Sequence, residues 1–160
     1  MDFDEQLKKA VARGRQRSER KTEQQAAEKM TEDEFRRMHS SLRLSLSDYI
    51  EECLKKIPQH FPGFSSETVF GERGWGAACS RDDLRLERGK RTNLYSRIEL
   101  TIRPYSNLHV IELAGKATVC NREVFNRQFF QELPDVDESE FRRLIDAWVL
   151  EFAELYAAKM

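Results

Sequence analysis

Histidine, cysteine and proline are sparse in this chain, and long apolar runs are missing altogether. The three histidines, His39, His60 and His109, stand apart from one another. None forms an H-x-x-x-H or Cys-His pair of metal-ligand spacing, so no metal site is expected. Cys53, Cys79 and Cys120 are an odd number, far apart and without paired spacing. Free thiols in a reducing compartment follow from that pattern. No stretch approaches the roughly 20 apolar residues that a membrane-spanning helix needs. The first residues are acidic and lack the basic-then-apolar layout of a secretory signal. A cytoplasmic protein that does not enter the membrane is therefore expected.

Catalytic fingerprints are scarce too. Gly71, Gly74 and Gly76 surround Trp75 with the spacing G-x-x-G-x-G, but without the Lys-Ser/Thr of a phosphate-binding loop. A kinked or bulged strand, with glycines where another backbone comes close, is the expectation there. There is no G-x-S-x-G, no nucleotide fingerprint and no repeated carboxylate pair. Cys79 and Cys120 have no adjacent base to activate a thiol. Asp82-Asp83 is a common turn pair. No catalytic residue and no cofactor is assigned, and the sequence points away from an enzyme.

What is present is a strand pattern at residues 93–120. Leu94, Ile98, Leu100 and Ile102 share one parity, and Tyr95, Arg97, Glu99, Thr101 and Arg103 share the other. A period of two is what a half-buried strand requires. Ile111, Leu113, Ala117 and Val119 repeat the pattern, with Val110, Glu112, Ala114 and Lys116 opposite. Pro104 and Asn107 mark a turn between the two runs. An antiparallel hairpin with one oily face is predicted, with His109 near the end of that face.

Amphipathic helices are predicted on either side of this hairpin. Thr31 and Glu34 form a capping box. Phe35, Met38, Leu42, Leu46, Tyr49, Ile50, Cys53 and Ile57 then recur at helical steps until Pro58 and Pro62 stop the pattern. Near the end of the chain, Asp137 and Glu140 open a second helix, whose stripe is Phe141, Leu144, Ile145, Trp148, Phe152, Leu155 and Tyr156. Between the helices, Trp75, Ala77 and Cys79 share a face that Leu84 and Leu86 could join only through a bulge near residues 81–83. Val124, Phe125, Phe129 and Phe130 suit an extended segment closing over the core. The expected fold is α+β: an antiparallel β-meander of three to four strands flanked by two amphipathic helices, both laid on the oily face.

The 160 residues are 34% charged and only 39% hydrophobic, so part of the chain is expected to lie outside the core. Residues 1–30 read as a charged helical or partly disordered arm, and residues 31–160 as a single domain. In the arm Phe3, Leu7 and Val11 keep helical spacing, but the stripe then meets Gly14, Ser18, Lys21 and Gln25. Net charge is −1 overall. Lys8, Lys9, Arg13, Arg15, Arg17, Arg20 and Lys21 nevertheless crowd into the arm, while the last helix is acid-rich. Such asymmetry bears on partners rather than on fold.

Two function classes fit these surfaces. The first is a non-enzymatic protein-interaction or adaptor module, binding a protein or a second copy of itself. Its binding residues would be those of the arm together with Tyr95, Arg97, Arg103 and Val110 on the open sheet face. The second is a nucleic-acid-associated protein using the basic arm on phosphates. The lack of an aromatic stacking pair beside Tyr95 weighs against it.

Overall fold

The computed structural model describes residues 2–28 and 30–159, with side chains for 2–22 and 30–159. Two compact units emerge, Met1–Phe35 and Arg36–Met160. The first contains helix α1 (Phe3–Glu28) and the opening turn of α2 (Glu32–Leu54). α1 passes through Gly14 without a break. Of the arm expected at 1–30, residues 1 and 29 and the side chains of 23–28 lie outside the described residues. At the start of α2 the Glu34 N–H donates to Thr31 Oγ1 at 3.2 Å, as the capping box requires.

The second unit is α+β. After the short helix α3 (Ile57–His60) come β1 (Ser65–Val69), β2 (Trp75–Glu87), β3 (Lys90–Ile102), β4 (Val110–Val119) and β5 (Arg122–Glu132). They form one antiparallel sheet in chain order. A 3₁₀ turn, Leu133–Asp135, leads into α4 (Glu138–Lys159). The sheet thus has five strands where three to four were expected. The segment around Phe125 is extended, and it is long enough to form a full edge strand. Two-residue turns join two of the hairpins. Arg88 and Gly89, then Cys120 and Asn121, all have positive φ, which matches the right-handed twist of the flanking strands.

Strand parity in the central hairpin follows the sequence. Ile98, Leu100, Ile102, Ile111, Leu113 and Ala117 are fully buried. Each such Leu or Ile contributes roughly 1.5–3 kcal/mol of burial before entropy is counted. On the helix side, Leu46, Ile50, Leu54, Phe141, Ile145 and Phe152 are equally buried. Trp148 lies over Gly115, where an added Cβ would come within 2.6 Å of the indole ring. Phe129 meets Phe141 edge-on at 5.0 Å, and the Arg43 guanidinium sits 4.3 Å over the Trp75 ring. Trp75 pairs with Ile102, Ile102 with Leu113, and Leu113 with Phe129. Directly paired residues point to one side of a sheet, so α2 and α4 both cover the oily face.

Three expectations are corrected. β2 carries no bulge near residues 81–83: its pairing with β3 runs unbroken from Trp75 to Glu87. Leu84 and Leu86 are therefore exposed rather than inward, at 50% and 72%. β4 pairs with β3 only from Arg97 onward, so the tip of the β2–β3 hairpin runs past the sheet with no core layer to receive them. The only register shift among the described strands falls at Ala117/Thr118, against β5. Gly71 and Gly74 lie in a loop between β1 and β2, and Gly76 lies in β2, where one kinked strand was expected. Gly76 still shows the close approach expected, since a Cβ there would collide with the Leu100 carbonyl oxygen. His109 precedes β4 with φ 56° and is half-buried, where a strand position was expected. Among the described residues, no helix is long and apolar enough to cross a membrane.

Candidate functional site

The open face of the sheet largely satisfies its own charges. Arg97 donates to Glu67 at 2.8 Å and to Glu99 at 3.1 Å. Burial alone would lower the Arg97 pKa, but its hydrogen bonds to Glu67, Tyr95 and Glu99 outweigh that and raise it. Arg73 lies 3.7 Å from Glu99, and Arg103 lies 3.7 Å from Glu112. Ala78 and Thr101 are buried beneath these pairs. Tyr95 is tied by its backbone to Asn121, which accepts from its N–H at 2.8 Å and donates to its carbonyl at 2.8 Å. Val110 is half-buried opposite Glu132. A charge already engaged by its neighbour offers little to an incoming partner.

The seven basic residues of α1 are all exposed. They belong to the first unit, whereas Tyr95, Arg97, Arg103 and Val110 belong to the second. Within α1, Lys9, Arg13, Arg17 and Arg20 are spaced four, four and three apart and form one row along the helix. Lys8, Arg15 and Lys21 fall outside that row. Phe3, Leu7 and Val11 form a separate apolar row, 71%, 51% and 47% exposed.

A groove of about 590 Å³ lies between α2 with α3 and α4. α2 and α4 run side by side in the same direction. Ser45 accepts from Arg142 at 3.1 Å, Tyr49 and Cys53 reach Asp146, and the Phe61 ring meets Tyr156 at 5.1 Å. Ile57, Phe61, Val149, Leu150 and Ala153 supply apolar walls, and Glu52, Lys56 and His60 stand around them. Leu150 is 67% exposed, an apolar side chain held out at the groove's edge.

Asp146 is the polar centre of this groove. Its Oδ1 accepts from the Tyr49 hydroxyl at 2.5 Å and from the Cys53 thiol at 3.7 Å. The bond to Asp146, aided by burial, raises the Tyr49 pKa, and burial raises that of Cys53. Both groups are therefore held protonated at neutral pH. A thiol in that state is a poor nucleophile. Neither of the two donors to Asp146 carries a positive charge. Among the described residues no Lys or Arg nitrogen lies within ion-pair distance of it.

Elsewhere in the core the Cys79 thiol is pushed up to about 11 by burial. All three cysteines are free. Cys79 pairs with Ile98 in mid-strand, whereas Cys120 lies in the β4–β5 turn. Among the described residues no group of three or more His, Cys, Asp and Glu could hold a metal ion.

The groove is not what the sequence singled out. Tyr49 and Cys53 are visible there as part of a helical stripe, four residues apart, and Asp146 only as one acid among many. The available signal was the width of the α4 stripe. Val149, Leu150 and Ala153 continue the apolar surface beyond the row that covers the sheet. No protein-family model matches the chain, and comparisons with curated proteins and with solved structures return no match.

Proposed function

We propose that this chain is a non-enzymatic protein-interaction module that seats a helical segment of a protein partner in the groove between α2 and α4. The observation that carries this reading is Asp146, a carboxylate with no cationic partner among the described residues, set among apolar walls. A segment that presents an apolar row beside a Lys or Arg complements both features. Helix-in-groove recognition works through anchors at steps of three and four residues. Exposed apolar area of this kind, rimmed by polar groups, is characteristic of interaction sites. The self-paired charges of the open sheet face make it the weaker candidate surface.

Photo-crosslinking inside the producing cells tests this reading. A photo-reactive residue at Leu150 is expected to yield discrete protein adducts, and one at Lys116 on the open sheet face is not. Adducts from Lys116 alone, or from neither position, contradict it.

One observation favours a second reading. The row of Lys9, Arg13, Arg17 and Arg20 along α1 suits contacts to successive phosphates of a nucleic acid. The adaptor reading leaves that row to acidic protein surfaces, and direct binding to nucleic acid separates the two.

A further inference from the structure

Resting on that reading of the groove, we infer that its occupant is α1 of a second copy of this chain. The two surfaces agree in length. From Phe3 to Val11 the apolar row of α1 spans about 12 Å at 1.5 Å per residue. Along α4 the groove runs from Asp146 to Ala153, about 10 Å by the same rise. They agree in extent as well. Beyond Val11 the same side of α1 continues as Gly14, Ser18 and Lys21, so the helix carries apolar surface for one short seat and no more.

They also agree in charge. Lys8 adjoins Leu7, and Lys9 and Arg13 follow with no acid between residues 8 and 13, whereas Asp4 and Glu5 flank Phe3 at the other end of the row. Glu52 and Asp146 line the groove, and Lys56 and His60 follow further along the α2 and α3 side. Seating Leu7 among Val149, Leu150 and Ala153 would bring Lys8 to the side of the groove that holds the uncompensated carboxylate. Phe3 and Val11, one helical turn on either side of Leu7, would fill the two ends. The contact joins two different surfaces, so each copy offers both a stripe and a groove.

Two measurements on the full-length chain test the inference. In the first, an isotope-labelled copy carrying Leu7→Cys and Cys53→Ser is mixed with an unlabelled copy that keeps Cys53. Both carry Cys120→Ser, and a mild thiol oxidant is added. A disulfide joining residue 7 of the labelled copy to Cys53 of the other is expected. The second is sedimentation of the unsubstituted chain against Leu7→Glu and Leu150→Glu. Both side chains are at least half exposed, so neither substitution touches the core. Each is expected to weaken self-association at least tenfold. A monomer at the highest soluble concentration overturns the inference. So does a chain with both Leu7→Cys and native Cys53 that closes only onto itself, or self-association indifferent to Leu7→Glu. If the chain is monomeric while the photo-reactive residue at Leu150 still captures another protein, this inference falls and the interaction reading stands.

Discussion

The Tyr49 hydroxyl donates a 2.5 Å hydrogen bond to Asp146 and so ties α2 to α4 across 97 positions of the chain. The bond closes one end of the groove and holds the carboxylate toward it. Tyr49→Phe removes the donor and leaves the ring in place. A loss of about 1 kcal/mol is expected in urea unfolding at neutral pH. Because the bond raises the Tyr49 pKa in the folded chain, its contribution is fully present below the ordinary tyrosine value near 10 and fades as pH rises beyond it. The gap in stability between wild type and Tyr49→Phe should therefore narrow in alkali. Tyr156 is pushed up to about 12 by burial and by its bond to Asp83, and it adds an alkaline loss common to both proteins.

Gly115 and Gly14 make opposite predictions for the same substitution. At Gly115 a Cβ meets the Trp148 ring at 2.6 Å. Gly115→Ala must displace the indole, at an expected cost of about 1–3 kcal/mol. At Gly14 nothing lies within 4 Å and the backbone is helical. Gly14→Ala is expected to raise the helicity of α1, by about 1 kcal/mol in propensity. Circular dichroism reads both effects, as a lower midpoint for the first and a larger helical signal for the second.

His39 makes stability depend on mild acid. It is 3% exposed, and its Nε2 has no hydrogen-bond partner. Burial lowers its pKa, the Arg103 backbone bond opposes that, and Arg43 adds repulsion against a second positive charge. An unfolded chain takes up the proton near pH 6.5, whereas the folded one resists it. The neutral imidazole's contribution is therefore complete above about 6.5 and is lost as pH falls toward the folded value. Unfolding free energy should drop as pH falls below about 6.5, and His39→Leu should flatten that drop. An equal slope in both proteins would show that other groups carry it.

Direct binding to nucleic acid, rather than salt response alone, decides the second reading. If the basic row neutralised phosphates, log K would fall with log salt by about 0.7 to 0.9 per contact. The adaptor reading expects no tight complex with single- or double-stranded DNA or RNA at physiological salt. A sub-micromolar dissociation constant there would replace it with the runner-up.

Ile98 and Glu99 show how far the sequence could be read. Alternation assigned their faces, and Ile98→Asp should unfold the chain, since an unpaired carboxylate cannot be buried cheaply. Parity alone makes Glu99→Lys harmless. In the structure Glu99 is flanked by Arg97 at 3.1 Å and Arg73 at 3.7 Å. A lysine there would face two cations, and a measurable loss of stability is expected. Period-two and helical repeats are local, so they were legible. Cross-strand ion pairs depend on register between distant segments and were not. Leu84 and Leu86 failed for a related reason: their apolar character was plain, but nothing local says that the hairpin tip outruns the sheet. The groove lies further beyond local reading. It arises where Tyr49 and Cys53 meet Asp146, and that meeting depends on two helices lying side by side in the same direction.

The most direct test of the groove as a protein-binding site is the adduct yield from a photo-reactive residue at Leu150, with Asp146 intact or changed to Asn. Asparagine still accepts the Tyr49 hydrogen bond, so Asp146→Asn removes the charge and keeps the groove's shape. The expected result is a clear fall in protein adducts, with a melting temperature close to that of the unsubstituted chain. Equal yields with and without the carboxylate, in two equally stable proteins, would contradict the account.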